Sequence, residues 1–241
     1  MKQQDRFPSL GSFYRVHAGV PFLLALFLFV VFEFTHLDLT VENWFFDSAT
    51  GQFPLRHVWF FKVFMHRWVK YVIVAVGVVV GVCLLLSLKL PQFRRHWRVF
   101  LFLGLCLGLG PAAVAGLKAA TNMHCPYDLQ MYGGTFPYVR LFEWAPEGMR
   151  RGRCWPAGHA SGGFALMGFY FIWWRSRPRW AHAALAFGLV YGFAMGIGRM
   201  VQGAHFLSHN FWSALVCWLV ALLCYRILLQ SRDFPQARGA A

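Results

Sequence analysis

Apolar runs long enough to cross a membrane recur along this chain, and only short hydrophilic breaks separate them. A helix of about twenty such residues spans a hydrocarbon layer of about 30 Å. Of the 241 residues, 58% are hydrophobic and 13% are charged. That share of charge is about half the ~25% of an ordinary soluble domain. The chain therefore reads as an integral membrane protein, an all-α bundle of about six transmembrane helices.

The spans run roughly His17–Phe34, Tyr71–Leu90, Val99–Leu117, His159–Trp174, His182–Met200 and Asn210–Leu229, the fourth being short for a crossing. The first follows a basic amino terminus, as a signal peptide would. No small-residue cleavage site follows it, since Glu33-Phe34-Thr35-His36 comes next, so it reads as a retained span. No soluble domain or low-complexity linker interrupts the chain, and residues 1–241 read as a single membrane domain.

The net charge of +14 is spread through the breaks rather than gathered on one surface. This distribution sets topology and attracts anionic lipid, and it argues against nucleic acid as a partner. Lys89, Arg94, Arg95 and Arg98 lie between spans two and three, and Arg175, Arg177 and Arg179 between spans four and five. The opposite breaks hold Asp38, Glu42, Asp47, Asp128, Glu143 and Glu147. By the excess of cytoplasmic Lys and Arg, both termini are expected in the cytoplasm.

Small residues recur every fourth position at Gly104, Gly108, Ala112 and Gly116, and again at Gly188, Gly192 and Gly196. Such ridges let helices approach closely in lipid. Spans three and five are expected to pack together on them, which would join Lys118 and Arg199 at their outer ends. The segment from Pro54 to Lys70 interleaves aromatic and basic residues, with Lys62, His66 and Lys70 on one helical face. It suits either a helix lying in the interface or an aromatic belt flanking span two.

Three outward stretches carry side chains that suit phosphate chemistry. Pro156-Ala157-Gly158-His159 opens a helix whose first N–H groups favour an anion, with His159 placed to deliver a proton. Gly198-Arg199 is followed by His205 and His209, a cationic fork and then a nitrogen nucleophile one helical turn from a second imidazole. Lys118 adds a second cation.

In order and spacing these stretches resemble the type 2 phosphatidic acid phosphatase family, over roughly Val99 to Leu229. Its pattern is Lys, six residues, Arg-Pro; Pro-Ser-Gly-His; and Ser-Arg, five residues, His, three residues, Asp. Here the parts are Lys118 through Cys125-Pro126, then Pro156-Ala157-Gly158-His159, then Gly198-Arg199, His205 and His209. The resemblance implies a six-span membrane fold and a metal-independent phosphatase with no cofactor. It implies that His205 is the nucleophile and forms a phosphohistidine, with His159 as general acid. Lys118, Arg199 and the Gly158 amide would bind the phosphoryl oxygens.

Three positions depart from the pattern: Cys125 stands for an Arg, Ala157 for a Ser, and His209 for an Asp. Arg151 or Arg153 is the expected substitute for the arginine, and Asp128 for the carboxylate. Cys125 and Cys154 are the cysteines outside the spans, and an oxidising outer compartment favours a disulfide between them. Without working substitutes the chain would be an inactive relative.

The expected substrate is amphiphilic, with its phosphate outside: phosphatidic acid, phosphatidylglycerol phosphate, polyprenyl diphosphate or lipid A. The expected place is a bacterial inner membrane with the site facing the periplasm, membrane lipids being the surrounding partner. The sequence carries no reading of oligomeric state. Phosphotransfer to an alcohol shares the same first step. A second reading is a metal or haem protein built on His124, His159, His205 and His209, opposed by the nearby cations. A transporter or a purely structural membrane protein is the remaining one.

Overall fold

A bilayer interior offers no water to peptide groups, so each crossing segment must satisfy its own backbone, and this chain does so with helices. The computed structural model describes residues 9–143, 146 and 148–234. Among them no strand forms; two isolated bridges, Asp47 with Gln52 and Leu129 with Phe136, pin outer loops.

Five helices are long and apolar enough to cross a membrane. They are α1 (Leu10–Phe34), α3 (Phe60–Lys89), α4 (Trp97–Ala120), α6 (Pro178–Met200) and α7 (Leu207–Leu228). A short α2 (Leu37–Asn43) follows α1. The fourth expected span is α5, residues 158–173, which changes from α-helix (Gly158–Phe164) to a 3-10 stretch (Ala165–Phe169) and back (Tyr170–Trp173). The tighter 3-10 winding gains length per residue, so α5 reaches farther than an α-helix of its residue count.

Of the two readings of the segment from Pro54 to Lys70, the separate helix in the interface does not form. Residues Phe60–Trp68 wind as π-helix and run directly into Val69–Lys89, so the aromatic and basic face extends span two at its outer end.

The small-residue ridges also meet other partners than expected. A Cβ on Gly192 would fall 2.2 Å from the Phe164 ring, one on Gly188 2.7 Å from the Met167 amide, and one on Gly196 2.1 Å from Asn210. The α6 ridge therefore receives α5 and the start of α7, not α4. Gly108 and Gly116 meet nothing within 4 Å, while α4 uses Gly110 against Cys217 of α7. Helix α5 thus sits between the two helices that carry Lys118 and Arg199.

The bundle core is aromatic, with Phe13, Phe102, Phe171 and Tyr225 all at or below 1% exposure. Toward the outer end it turns to smaller residues: Val114, Ala157, Ala160, Ala214 and Cys217, packed with Phe164 and Met167. Large apolar side chains such as Phe22, Val79, Leu85, Val190 and Ile227 face outward, which suits lipid rather than water.

Candidate active site

Each site residue is delivered to the same end of the bundle by a helix terminus. Lys118 lies in the last turn of α4, Gly158 and His159 open α5, and Arg199 lies in the last turn of α6. His205 precedes α7, and His209 is in its first turn. Lys118, Gly158, His159, Arg199 and His205 line one cavity of about 610 Å³. The Lys118 ammonium comes within 4.0 Å of where a Cβ on Gly158 would sit, which places the cation in van der Waals reach of the opening of α5.

The loop between α6 and α7 has a tight backbone. Gly203 adopts a positive φ of 70°, and a Cβ on it would sit 2.6 Å from the Phe53 ring. Its N–H donates to Met200 O at 2.8 Å, and its carbonyl accepts from Tyr127 N–H at 2.9 Å. This closure holds Arg199 and His205 on either side of one turn. Arg199 Nη1 donates to Gln202 Oε1 at 2.6 Å, and Gln202 Nε2 donates to Arg56 O at 3.2 Å.

His205 is 4% exposed, and burial holds its pKa well below the usual imidazole value, with His209, Lys118 and Arg199 adding to the shift. It is therefore neutral at pH 7 and has a lone pair to offer. Its Nδ1 lies 3.3 Å from Nδ1 of His209 and 3.5 Å from the Cys154 sulfur. When Nδ1–H of His205 donates to His209, the lone pair is on Nε2, as a nucleophile requires. His209 Nε2 is buried with no hydrogen-bond partner.

His159 Nε2–H donates to Met65 O at 3.2 Å, and its ring stacks on His66 at 4.6 Å. His66 and Lys70, both from α3, line the same cavity. His66 Nδ1 is buried without a partner. The shared face of Lys62, His66 and Lys70 was the one sequence signal for these two residues, and no motif assigns them to a phosphate site. Below the cations the cavity wall turns apolar with Ile73, Val74, Leu107, Pro111 and Met195. Pro111 lies inside α4 and leaves the Leu107 carbonyl without its usual i+4 donor.

Cys125 and Cys154 are bridged, with an S–S distance of 2.14 Å. The three expected substitutes lie elsewhere. Asp128, Arg151 and Arg153 line a separate cavity with His124 and Arg150. Arg151 caps the end of α4, donating to the Ala120 and Thr121 carbonyls, so its guanidinium is held away from His205. Asp128 follows the bridged Cys125 into a 3-10 turn (Pro126–Asp128), and among the described residues no carboxylate lines the cavity of His205.

The four histidines of the metal reading do not converge. His124 lines the separate cavity, and His159 is committed to Met65 and His66. Cys154, His205 and His209 place donor atoms within 4.8 Å of one another. The Cys154 sulfur is spent in the disulfide, so it offers no thiolate, and two imidazoles beside two cations fit a metal ion poorly.

The chain is similar to the lipid A 4'-phosphatase of Francisella tularensis subsp. novicida (strain U112), at 24% identity over 229 residues, covering 91% of this chain and 99% of that one. No solved structure matches. Residues 99–233, more than half of the chain and all three motif stretches, match the model of the PAP2 superfamily. The chain is an all-helical membrane protein that belongs to that superfamily.

Proposed function

We propose that this protein is a membrane-bound lipid phosphatase that works through a phosphohistidine at His205. One observation carries the reading: a single cavity joins three cations, Lys70, Lys118 and Arg199, and the imidazoles of His159 and buried His205 to an apolar wall that runs down the membrane helices. The cations suit a phosphomonoester and the wall suits the lipid attached to it. Membership of the PAP2 superfamily and likeness to a lipid A 4'-phosphatase support the same reading.

In the first step His205 Nε2 attacks phosphorus in line, the P–O bond to the lipid breaks, and His159, protonated on Nδ1 while Met65 O keeps its Nε2–H, gives the Nδ1 proton to the departing alkoxide. Lys118, Arg199 and the Gly158 N–H hold the phosphoryl oxygens as their charge grows. Cationic imidazole nitrogen on phosphorus is relieved when Nδ1–H shifts toward His209. In the second step water attacks the phosphohistidine, His159 Nδ1 takes the water proton, His209 returns its proton to His205 Nδ1, and the N–P bond breaks to release inorganic phosphate and neutral His205. No step calls for a metal ion.

The site would face the periplasm from a bacterial inner membrane, with both termini cytoplasmic. Lys89, Arg94, Arg95, Arg98, Arg175, Arg177 and Arg179 lie at the bundle end opposite the site, which supports that orientation. The whole chain would act as one domain, because α3 contributes His66 and Lys70 to the cavity.

The test is phosphate release by detergent-purified protein from phosphatidic acid, phosphatidylglycerol phosphate, polyprenyl diphosphate and lipid A, with chelator present and His205→Ala as control. Chelator-resistant release lost in the variant is the expected result. Release abolished by chelator would overturn it. Transfer to added alcohol without phosphate release would convert the reading to a phosphotransferase.

A further inference from the structure

The second cavity, of about 580 Å³, is lined by His124, Asp128, Phe136, Arg150, Arg151 and Arg153. Three guanidiniums face one carboxylate there. Three arginines within four residues are out of place at the end of the bundle where the acidic residues gather, so topology does not account for them. Among the described residues no salt bridge engages Arg150 or Arg153.

His124 supplies an independent sign of a ligand. It is 8% exposed and stacks face to face on Phe136 at 3.8 Å, yet its Nε2 is buried with no hydrogen-bond partner. A buried polar atom without a partner costs free energy unless something fills the role. The cavity is also built rigidly. Cys154 N–H donates to Met123 O at 2.9 Å, Gly152 N–H to the Asn122 side chain at 2.7 Å, and a Cβ on Gly152 would strike Met123 O at 2.4 Å. Thr135 and Phe136 N–H both donate to Asp128 O at 2.9 Å.

The two cavities are neighbours. His124 precedes Cys125 and Arg153 precedes Cys154, and the Cys154 sulfur lies 3.5 Å from His205 Nδ1. One disulfide therefore ties the second cationic cavity to the imidazole of the first.

We propose that this cavity binds a second anionic group, a phosphate or carboxylate, carried by the headgroup of the lipid whose phosphomonoester is cleaved at His205. Arg150 and Arg153 supply charge, His124 Nε2 supplies a hydrogen bond, and Arg151 divides its donors between the α4 carbonyls and the ligand. The substrate class is then a lipid with two separated anionic groups on one headgroup. This assignment rests on the phosphatase reading for its kinetics but not for the existence of the site.

The experiment has two parts. Inorganic phosphate is titrated into protein in a neutral detergent and followed by ³¹P NMR, for wild type, Arg199→Gln and the double variant Arg150→Gln/Arg153→Gln. Two phosphates per chain are expected in wild type, each variant losing a different one. A single phosphate whose binding ignores the arginine pair would overturn the site, even if the protein turned over no lipid at all. Kinetics follow on lipids bearing one phosphate or two. The double variant should raise KM about tenfold for the two-phosphate lipid, with kcat and the one-phosphate lipid unchanged. His124→Phe, which keeps the stack on Phe136, should give a smaller rise of the same kind. Equal KM for both lipids in all variants would overturn the substrate class. A KM effect on the one-phosphate lipid that needs added anionic phosphatidylglycerol would instead assign the cavity to a neighbouring lipid headgroup.

Discussion

His209 sits where a carboxylate would steady the nucleophile, 3.3 Å from His205 through facing Nδ1 atoms. An imidazole accepts the proton but brings no negative charge. His209→Ala should lower kcat by about 10²-fold, the range of a lost proton acceptor. His209→Asp should retain wild-type turnover or exceed it. Steady-state rates of the two variants check this, and an aspartate variant as weak as the alanine one would deny His209 that role. The residues of this cluster were legible because each motif is local, so the resemblance to the family pattern aligned Lys118, His159, Arg199 and His205, which line one cavity. The proposed stand-ins Asp128, Arg151 and Arg153 were chosen by nearness along the chain. The disulfide turns that stretch toward a different cavity, which spacing does not encode. His66 entered the site through a face shared with Lys70, a pattern equally at home in an interfacial belt.

Among the elements, the short α2 reaches the site through Asp38. Asp38 accepts from Ser208 N–H at 2.8 Å and from the Ser208 hydroxyl, capping the first turn of α7 beside His209. Burial pushes its carboxyl up to about 6, against the pull of those two bonds. Glu42 is fully buried with both oxygens unpartnered, and burial, then the Asp38 charge, push it up to about 9. Both folded-state values are raised, so the folded protein holds more protons than the unfolded one. Stability is then greatest in mild acid and falls as pH rises, through about 6 for Asp38 and about 9 for Glu42. Glu42→Gln should flatten the melting temperature between pH 5 and 9, raising it by several degrees at pH 8 and little at pH 5. Thermal melts in detergent across that range decide it, and a variant less stable at pH 8 would contradict it. The glycine ridges yield a second test. Gly192→Ala, driving a methyl into the Phe164 ring, should cost about 1–3 kcal/mol, whereas Gly108→Ala, facing open space, should be neutral. A four-residue repeat shows which side of a helix is smooth, and only the fold shows which neighbour uses it. That is why α6 was readable as a packing helix while its partner α5 was not.

For the whole molecule, the family match begins at residue 99, yet the site does not. Met65 O holds His159, His66 and Lys70 line the cavity, and Asp38 caps α7, all from the first third of the chain. A truncation to residues 99–233 should therefore lose all measurable turnover even where it inserts, as a membrane-extraction assay paired with activity would show. Five of the six expected spans were legible as membrane-length helices because hydrocarbon thickness sets their length. The mixed winding of α5 was not, because apolar composition is the same for either helix type. The Cys125–Cys154 bridge closes a stretch with a sequence separation of 29, which stabilises the fold by about 3–4 kcal/mol. The segments it joins line the second cavity, and the Cys154 sulfur lies 3.5 Å from His205, the proposed nucleophile. On the proposed reading, assembly of the working enzyme would be conditional on delivery: a copy whose outer loop stayed among cellular reductants would lack the clasp that holds Cys154 beside His205. The chain would then be silent during synthesis and gain its chemistry only on the side of the membrane where thiols are oxidised.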